Sequence, residues 1–177
     1  LESGLALDGA VEAVQAGIDE AVASAATTGH HIQVGQLISA MRQNDRSMDI
    51  AELALRHRDK GAVGFDIAGP EAGFPPARFA EAFAYLAREM FPVTIHAGEA
   101  DGIESIRGAL VDGHALRLGH GVRIAEEVKD LSGKNAELAG LGSVARWVLE
   151  RGIPLEVSPS SNLQTGAIAA WGSTLAD

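Results

Sequence analysis

The stretch VTIHAGEAD, Val93–Asp101, ends a short β-branched run in a histidine, two small residues and a glutamate. An imidazole at the tip of an apolar strand can bind a metal or move a proton, and a nearby carboxyl can act as general acid or base. Ala97 and Gly98 between them let a ligand approach the backbone closely. His120 stands between Gly119 and Gly121 at the exit of a second apolar run, ALRLGHG. Asp66, Gly69 and Glu71 follow the run AVGFDI, and Ser158, Ser161 and Asn162 follow IPLEVS. A lone histidine on an apolar strand is commonly a satisfied core residue. Two histidines and a glutamate at adjoining strand ends point instead to a site. Asp66 could orient a loop or contact a ligand, Glu71 is expected to face solvent, and Asn162 could be an Asx-turn residue only. His30, His31, His57 and His114 fall at helix ends or turns and are expected on the surface. Arg107, Arg117 and Arg123 are expected to pair with nearby carboxylates.

These residues need strands and helices to hold them, and the chain alternates the two. Leu7, Val11, Val14, Ile18 and Val22 recur at helical spacing behind Asp8, a candidate N-cap, with Gly29 past the end. Ile32–Ser39 predicts a strand, Ser47 is a candidate cap of a helix that ends before Gly61, and Ala62–Ile67 predicts a second strand. Phe79, Phe83, Leu86 and Met90 mark a helix after Pro75-Pro76. VTIH follows, then a helix with Ile103, Ile106 and Leu110, a strand over Ala115–Gly121, and a polar surface insertion at Lys129–Asn135. A helix through Val144 and Val148 and a strand over Ile153–Ser158 complete the pattern, with Leu163–Asp177 as loop or weak helix. Five strands alternating with helices predict right-handed parallel crossovers and an α/β fold. Polar and small residues gather after several strand ends in succession. An open doubly wound sheet concentrates them at one switch point, whereas a (β/α)8 TIM barrel gathers them over its mouth. The barrel is the expected architecture, as a single domain over residues 1–177.

Composition narrows the function classes. A chain of 177 residues, 46% hydrophobic with mean hydropathy +0.08, suits one soluble domain with a real core. A net charge of −10 argues against a nucleic-acid partner. No run approaches the roughly 20 apolar residues of a membrane span, and no signal-peptide pattern is expected. The chain has no cysteine, which removes disulfides and thiolate chemistry and fits a cytoplasmic setting.

GFDIAGPE (Gly64–Glu71), TIHAGE (Thr94–Glu99), RLGHGVRI (Arg117–Ile124) and PLEVSPSSNLQTGA (Pro154–Ala167) together resemble the successive motifs of the adenosine deaminase family, in order and spacing. The form of DIAG with its EAG extension is similar to actinobacterial members. The resemblance implies a zinc-dependent (β/α)8 hydrolase that replaces the purine 6-amino group with oxygen. It implies His96 as a ligand of one Zn2+ ion and Glu99 as the acid that protonates purine N1. His120 is implied to orient the nucleophilic water or take its proton. Gly69 is implied to donate its N–H to purine N3, with Asp66 supporting that loop, although Pro70 removes a backbone donor beside it. The Cys-ligated deaminase fold is closed to a chain without cysteine.

The same resemblance exposes a departure. A catalytic zinc site needs about three protein ligands. The family's His-x-His pair at its first strand and its Asp-Asp pair at its last are both absent from this sequence. About five of the eight barrel units are therefore expected here, after strand two and through strand seven. Such a partial barrel leaves open edges that favour self-association, and these residues alone are expected to be inactive. Three readings follow: part of a deaminase of adenosine and 2'-deoxyadenosine; a deaminase of adenine or a modified purine nucleoside; or a non-catalytic partial barrel that binds a purine or a protein.

Overall fold

A computed structural model describes residues 4–129 and 140–169. Five parallel strands form one sheet in sequential order, β1 Gln36–Met41, β2 Ala62–Ala68, β3 Val93–Ala97, β4 Arg117–His120 and β5 Leu155–Glu156. The helices are α1 Leu7–Thr27, α2 Ser47–Arg56, α3 Ala80–Arg88, α4 Ile103–Val111, α5 Ser143–Arg151 and α6 Pro159–Gln164. A doubly wound sheet reverses strand order at its switch point. Here the order never reverses, so every crossover advances the same way, as in successive units of a (β/α)8 barrel. Among the described residues, no helix is long and apolar enough to cross a membrane.

The two faces of the sheet do different work. On β1, Gln36, Ile38 and Ala40 are buried on the helix side, and Leu37, Ser39 and Met41 lie on the opposite, barrel-interior face. The core on the helix side joins Ile38, Phe65, Ile67, Ile95 and Leu118 to Ala54 of α2, Leu86 of α3 and Ile106 of α4. Phe83 sits edge-on to both Phe65 and Phe79, at 6.2 and 6.4 Å between ring centroids.

Several boundaries differ from the sequence expectation. β1 begins at Gln36, not Ile32, because Ile32 and Val34 are exposed and the ladder starts where Gln36 meets Ala62. β5 shortens to two residues, and a short helix begins at Pro159 where the sequence suggested a turn. Most of the expected surface insertion and of the C-terminal loop lies outside the described residues. Asp8 does not cap α1, since Ala6 holds that position, and Ser47 is the first residue of α2 behind Arg46.

Asp8 instead reaches α2, and His57 is not the surface residue its position suggested. Its side chain is 3% exposed and its Nε2 lies 2.9 Å from an Asp8 oxygen, while Arg56 donates to the same carboxylate at 3.1 Å. The Arg56 hydrogen bond, with His57 second, holds the Asp8 carboxyl below its ordinary 3.8. A depressed carboxyl stabilises the fold above its unfolded value, and that contribution disappears as pH falls through the folded value. Asp8→Ala is therefore expected to unfold at lower denaturant than the parent at neutral pH. The difference should narrow on acidification through the Asp8 titration; an equal difference at all pH values would contradict the pairing.

Candidate active site

The strand register brings the polar residues together. Ser39 of β1 faces Asp66 of β2, Asp66 faces Thr94 of β3, and His96 faces Gly119 of β4. Asp66 is 2% exposed, and a buried carboxylate must be satisfied by hydrogen bonds. One oxygen meets His96 Nδ1 at 3.0 Å and the other accepts the Ser39 hydroxyl at 3.0 Å. The carboxylate is thus committed to the His96 ring. That hydrogen bond raises the His96 pKa above its ordinary 6.5, against the opposing effect of burial. The ring also needs space: a Cβ on Gly119 would lie 2.9 Å from His96 Cγ, so only glycine fits beneath it.

His120 ends β4 with φ 63°, in the left-handed region that a non-glycine residue rarely occupies. Strict strand alternation sets residue 120 on the face of its register partner Ala97, opposite His96. The left-handed turn re-aims the ring, and the two imidazole centroids lie 5.3 Å apart. Asn162, from α6, holds this ring in place. It is fully buried; its Oδ1 accepts the Ser158 N–H, and its Nδ2 donates to His120 Nδ1 at 2.8 Å. With Nδ1 accepting, the neutral ring carries its proton on Nε2. That nitrogen lies 3.5 Å from Glu99 Oε2, close enough for a small movement to complete the contact. Glu99 Oε1 accepts the Thr165 hydroxyl at 3.1 Å.

Asp66, His96, Glu99 and His120 therefore converge on one end of the sheet. Gly69 lies on the β1 side of this group with φ 95°, where a Cβ would come 2.6 Å from Gln43 Oε1. The arginine pairings hold, with Arg107–Glu104 at 3.3 Å, Arg117–Glu156 at 3.0 Å and Arg123–Glu126 at 3.2 Å. Glu71 reverses expectation. It is buried, not solvent-facing, because backbone N–H groups of the β3–α4 loop converge on its carboxylate. Asn162 is more than a turn residue, and Thr165 and Arg42 were not singled out. Arg42 is 1% exposed and donates to the carbonyls of Phe74 and His96. A charged residue directly extending an apolar strand, one position past the Met41–Ala68 pair, was the available signal.

The implied zinc fits His96. A histidine ligand usually gives its other ring nitrogen to a carboxylate, which fixes the tautomer and the ring orientation. Asp66 does this at Nδ1, leaving Nε2 for a metal. Among the described residues, no group of three or more His, Cys, Asp or Glu could hold a metal ion. The described residues do not complete a ligand set around His96.

Asp66→Asn removes the strongest support for the imidazolium. His96 is expected to titrate lower, toward 6.5, when its ring proton is followed by NMR. A raised histidine pKa stabilises the fold below the unfolded value and loses that effect as pH rises through the folded value. This pH-dependent component should also vanish in Asp66→Asn, and an unchanged His96 titration would contradict the assignment.

The chain as a whole resembles known proteins. The adenosine deaminase family model matches residues 1–173. Adenosine deaminase 1 of Streptomyces coelicolor is 53% identical over 171 residues, covering 97% of this chain and 42% of that protein. The adenosine deaminase of Mycolicibacterium vanbaalenii is 49% identical over 170 residues, covering 96% of this chain and 46% of that protein. The chain thus spans less than half the length of these curated relatives. Among solved structures, an adenine deaminase from Arthrobacter aurescens superposes with TM-score 0.74 at 22% identity, over 98% of this chain and 47% of that one, a likeness of fold. An amidohydrolase from Burkholderia ambifaria, solved with bound Zn, has TM-score 0.64 at 26% identity, over 85% of this chain and 38% of that one. Four strand-end motifs, a sheet that advances in barrel order and a family match over nearly the whole chain lead to one conclusion: the chain belongs to the adenosine deaminase family.

Proposed function

We propose that these residues form part of the active site of an enzyme that converts adenosine and 2'-deoxyadenosine, with water, to inosine or 2'-deoxyinosine and ammonia. The observation that carries this reading is the placement of Glu99 and His120 side by side, next to an Asp66-oriented His96, at neighbouring strand ends. The names of the two relatives at 53% and 49% identity favour a nucleoside over a free base.

In this mechanism His96 would supply one ligand to Zn2+, and the ion when bound would supply the Lewis acidity that activates water at neutral pH. Asp66 holds the His96 ring so that Nε2 remains the coordinating atom. Glu99, as a carboxylic acid, gives its proton to purine N1, which drains electron density from C6 and opens it to attack. His120 orients the attacking water through its Nε2–H, with Asn162 fixing that tautomer; of the water's two protons, one leaves with the 6-amino group as ammonia and the other restores the Glu99 acid. The Gly69 N–H meets purine N3 and sets the ring's register. The enzyme works in the cytoplasm as a single domain over these residues. β1 and β5 each pair with one strand among those described, so their free edges are the route to any self-association.

Ammonia release from adenosine, 2'-deoxyadenosine and adenine by the zinc-loaded whole protein tests this reading. The nucleosides should be converted and adenine should lag. Glu99→Gln should lower kcat by about 100- to 10,000-fold, the usual contribution of a positioned acid. The 177 residues by themselves should release none, since His96 alone cannot meet the need for about three ligands. No conversion of either nucleoside by the whole protein, or a preference for adenine, would contradict the proposal.

A further inference from the structure

Glu71 has no part in the chemistry above, yet its carboxylate is the focus of the loop that carries Glu99. Oε1 accepts the Gly98 N–H at 2.5 Å. Oε2 accepts three more, from Glu99 at 3.1 Å, Ala100 at 2.7 Å and Asp101 at 3.0 Å. Four consecutive amides that point inward at one anion form a concave nest. The carboxylate accepts all four, one on Oε1 and three sharing Oε2, a donor-only surrounding that suits an anion. This is not the capping of a helix. α4 begins at Ile103 with Gly102 at its N-cap, and the four amides all precede it.

A second buried charge secures the loop that carries Glu71. Arg42 donates to the carbonyl of Phe74, beyond Glu71, and to the carbonyl of His96, before the nest. Glu71, Asp66 and Asp101 are the negative charges that offset its burial. The β2–α3 loop is thus tied twice, by an anion to the amides after β3 and through a cation to the end of β3 itself. Glu99 lies inside the tied segment. Its own N–H is one of the four donors, while its carboxyl reaches the other way to His120 and Thr165.

We propose that Glu71 is a positioning residue for the deamination: by filling the nest of residues 98–101 it fixes the Glu99 backbone, and with it the distance from the Glu99 carboxyl to His120 and to the substrate ring. The proposal rests on the deaminase reading for its catalytic part, and on the structure alone for its hold on the loop. A buried anchor indifferent to Glu99 would affect folding only. An anchor one loop away from the proton donor affects the rate, because a displacement of about 1 Å at a reacting group can cost about 100-fold. Gln is a poor replacement here, since it carries no charge to hold four N–H groups and its NH2, itself a donor, would face at least one of them.

Two measurements on Glu71→Gln and Glu71→Ala, made in the whole zinc-loaded protein, test this. In hydrogen exchange, the amides of residues 98–101 should exchange faster in both variants, more so in Glu71→Ala, while β3 and β4 keep their protection. In adenosine turnover, kcat should fall by about 100-fold with KM little changed. Should Glu71→Ala fail to fold, Glu71→Gln carries both measurements. Unchanged exchange at 98–101 overturns the proposal, as does an unchanged kcat or a loss confined to KM. A parent protein that leaves adenosine untouched defeats the deaminase reading instead. The exchange result then still decides whether Glu71 holds the loop.

Discussion

The hydrogen bond between Asp66 and His96 is the joint on which the site depends. It spans two neighbouring strands, so it exists only while β2 and β3 keep their register. A slip by one residue would turn Asp66 toward the helix side and His96 away from the barrel interior. The helix-side core enforces that register, because the same slip would expose Phe65 and Ile67. Packing on one face of the sheet therefore fixes chemistry on the other. The ordering continues outward from the joint: Ser39 holds the second Asp66 oxygen, Gly119 makes room for the ring, and His120 turns through a left-handed conformation to meet it.

Around that joint, buried polar groups satisfy one another across loops. Arg42 holds the His96 carbonyl, Glu71 gathers the amides after it, and Asn162 fixes His120. Most of these partners lie far apart in sequence, and several are backbone atoms. The strand ends carry Asp66, His96 and His120, and the loop after β3, tied by charge-assisted hydrogen bonds, carries Glu99.

This division explains what the sequence revealed. His96, Glu99 and His120 were legible because a charged or titratable residue at the tip of an apolar strand stands out against its neighbours. The barrel order was legible because the strands and helices alternate without a break. Glu71 was not, because its partners are backbone amides, which every residue carries, so sequence gives no complementary signal. His57 was misplaced because its partner, Asp8, is on another helix and its burial is decided by tertiary packing. β1 was set too early because Ile32 and Val34 repeat the alternation of a strand without a neighbour to pair with. Asn162 in a Pro-Ser-Ser-Asn turn carries the local signature of a turn residue, and only the folded chain shows the histidine beside it.

The central claim is that His96 is prepared as a metal ligand before any metal arrives. Its tautomer in the metal-free protein, read by 15N NMR at a pH where the ring is neutral, tests this most directly. The account predicts the proton on Nδ1, hydrogen-bonded to Asp66, and a free lone pair on Nε2. A proton on Nε2 would mean that Asp66 does not set the ring, and the site as described would be wrong.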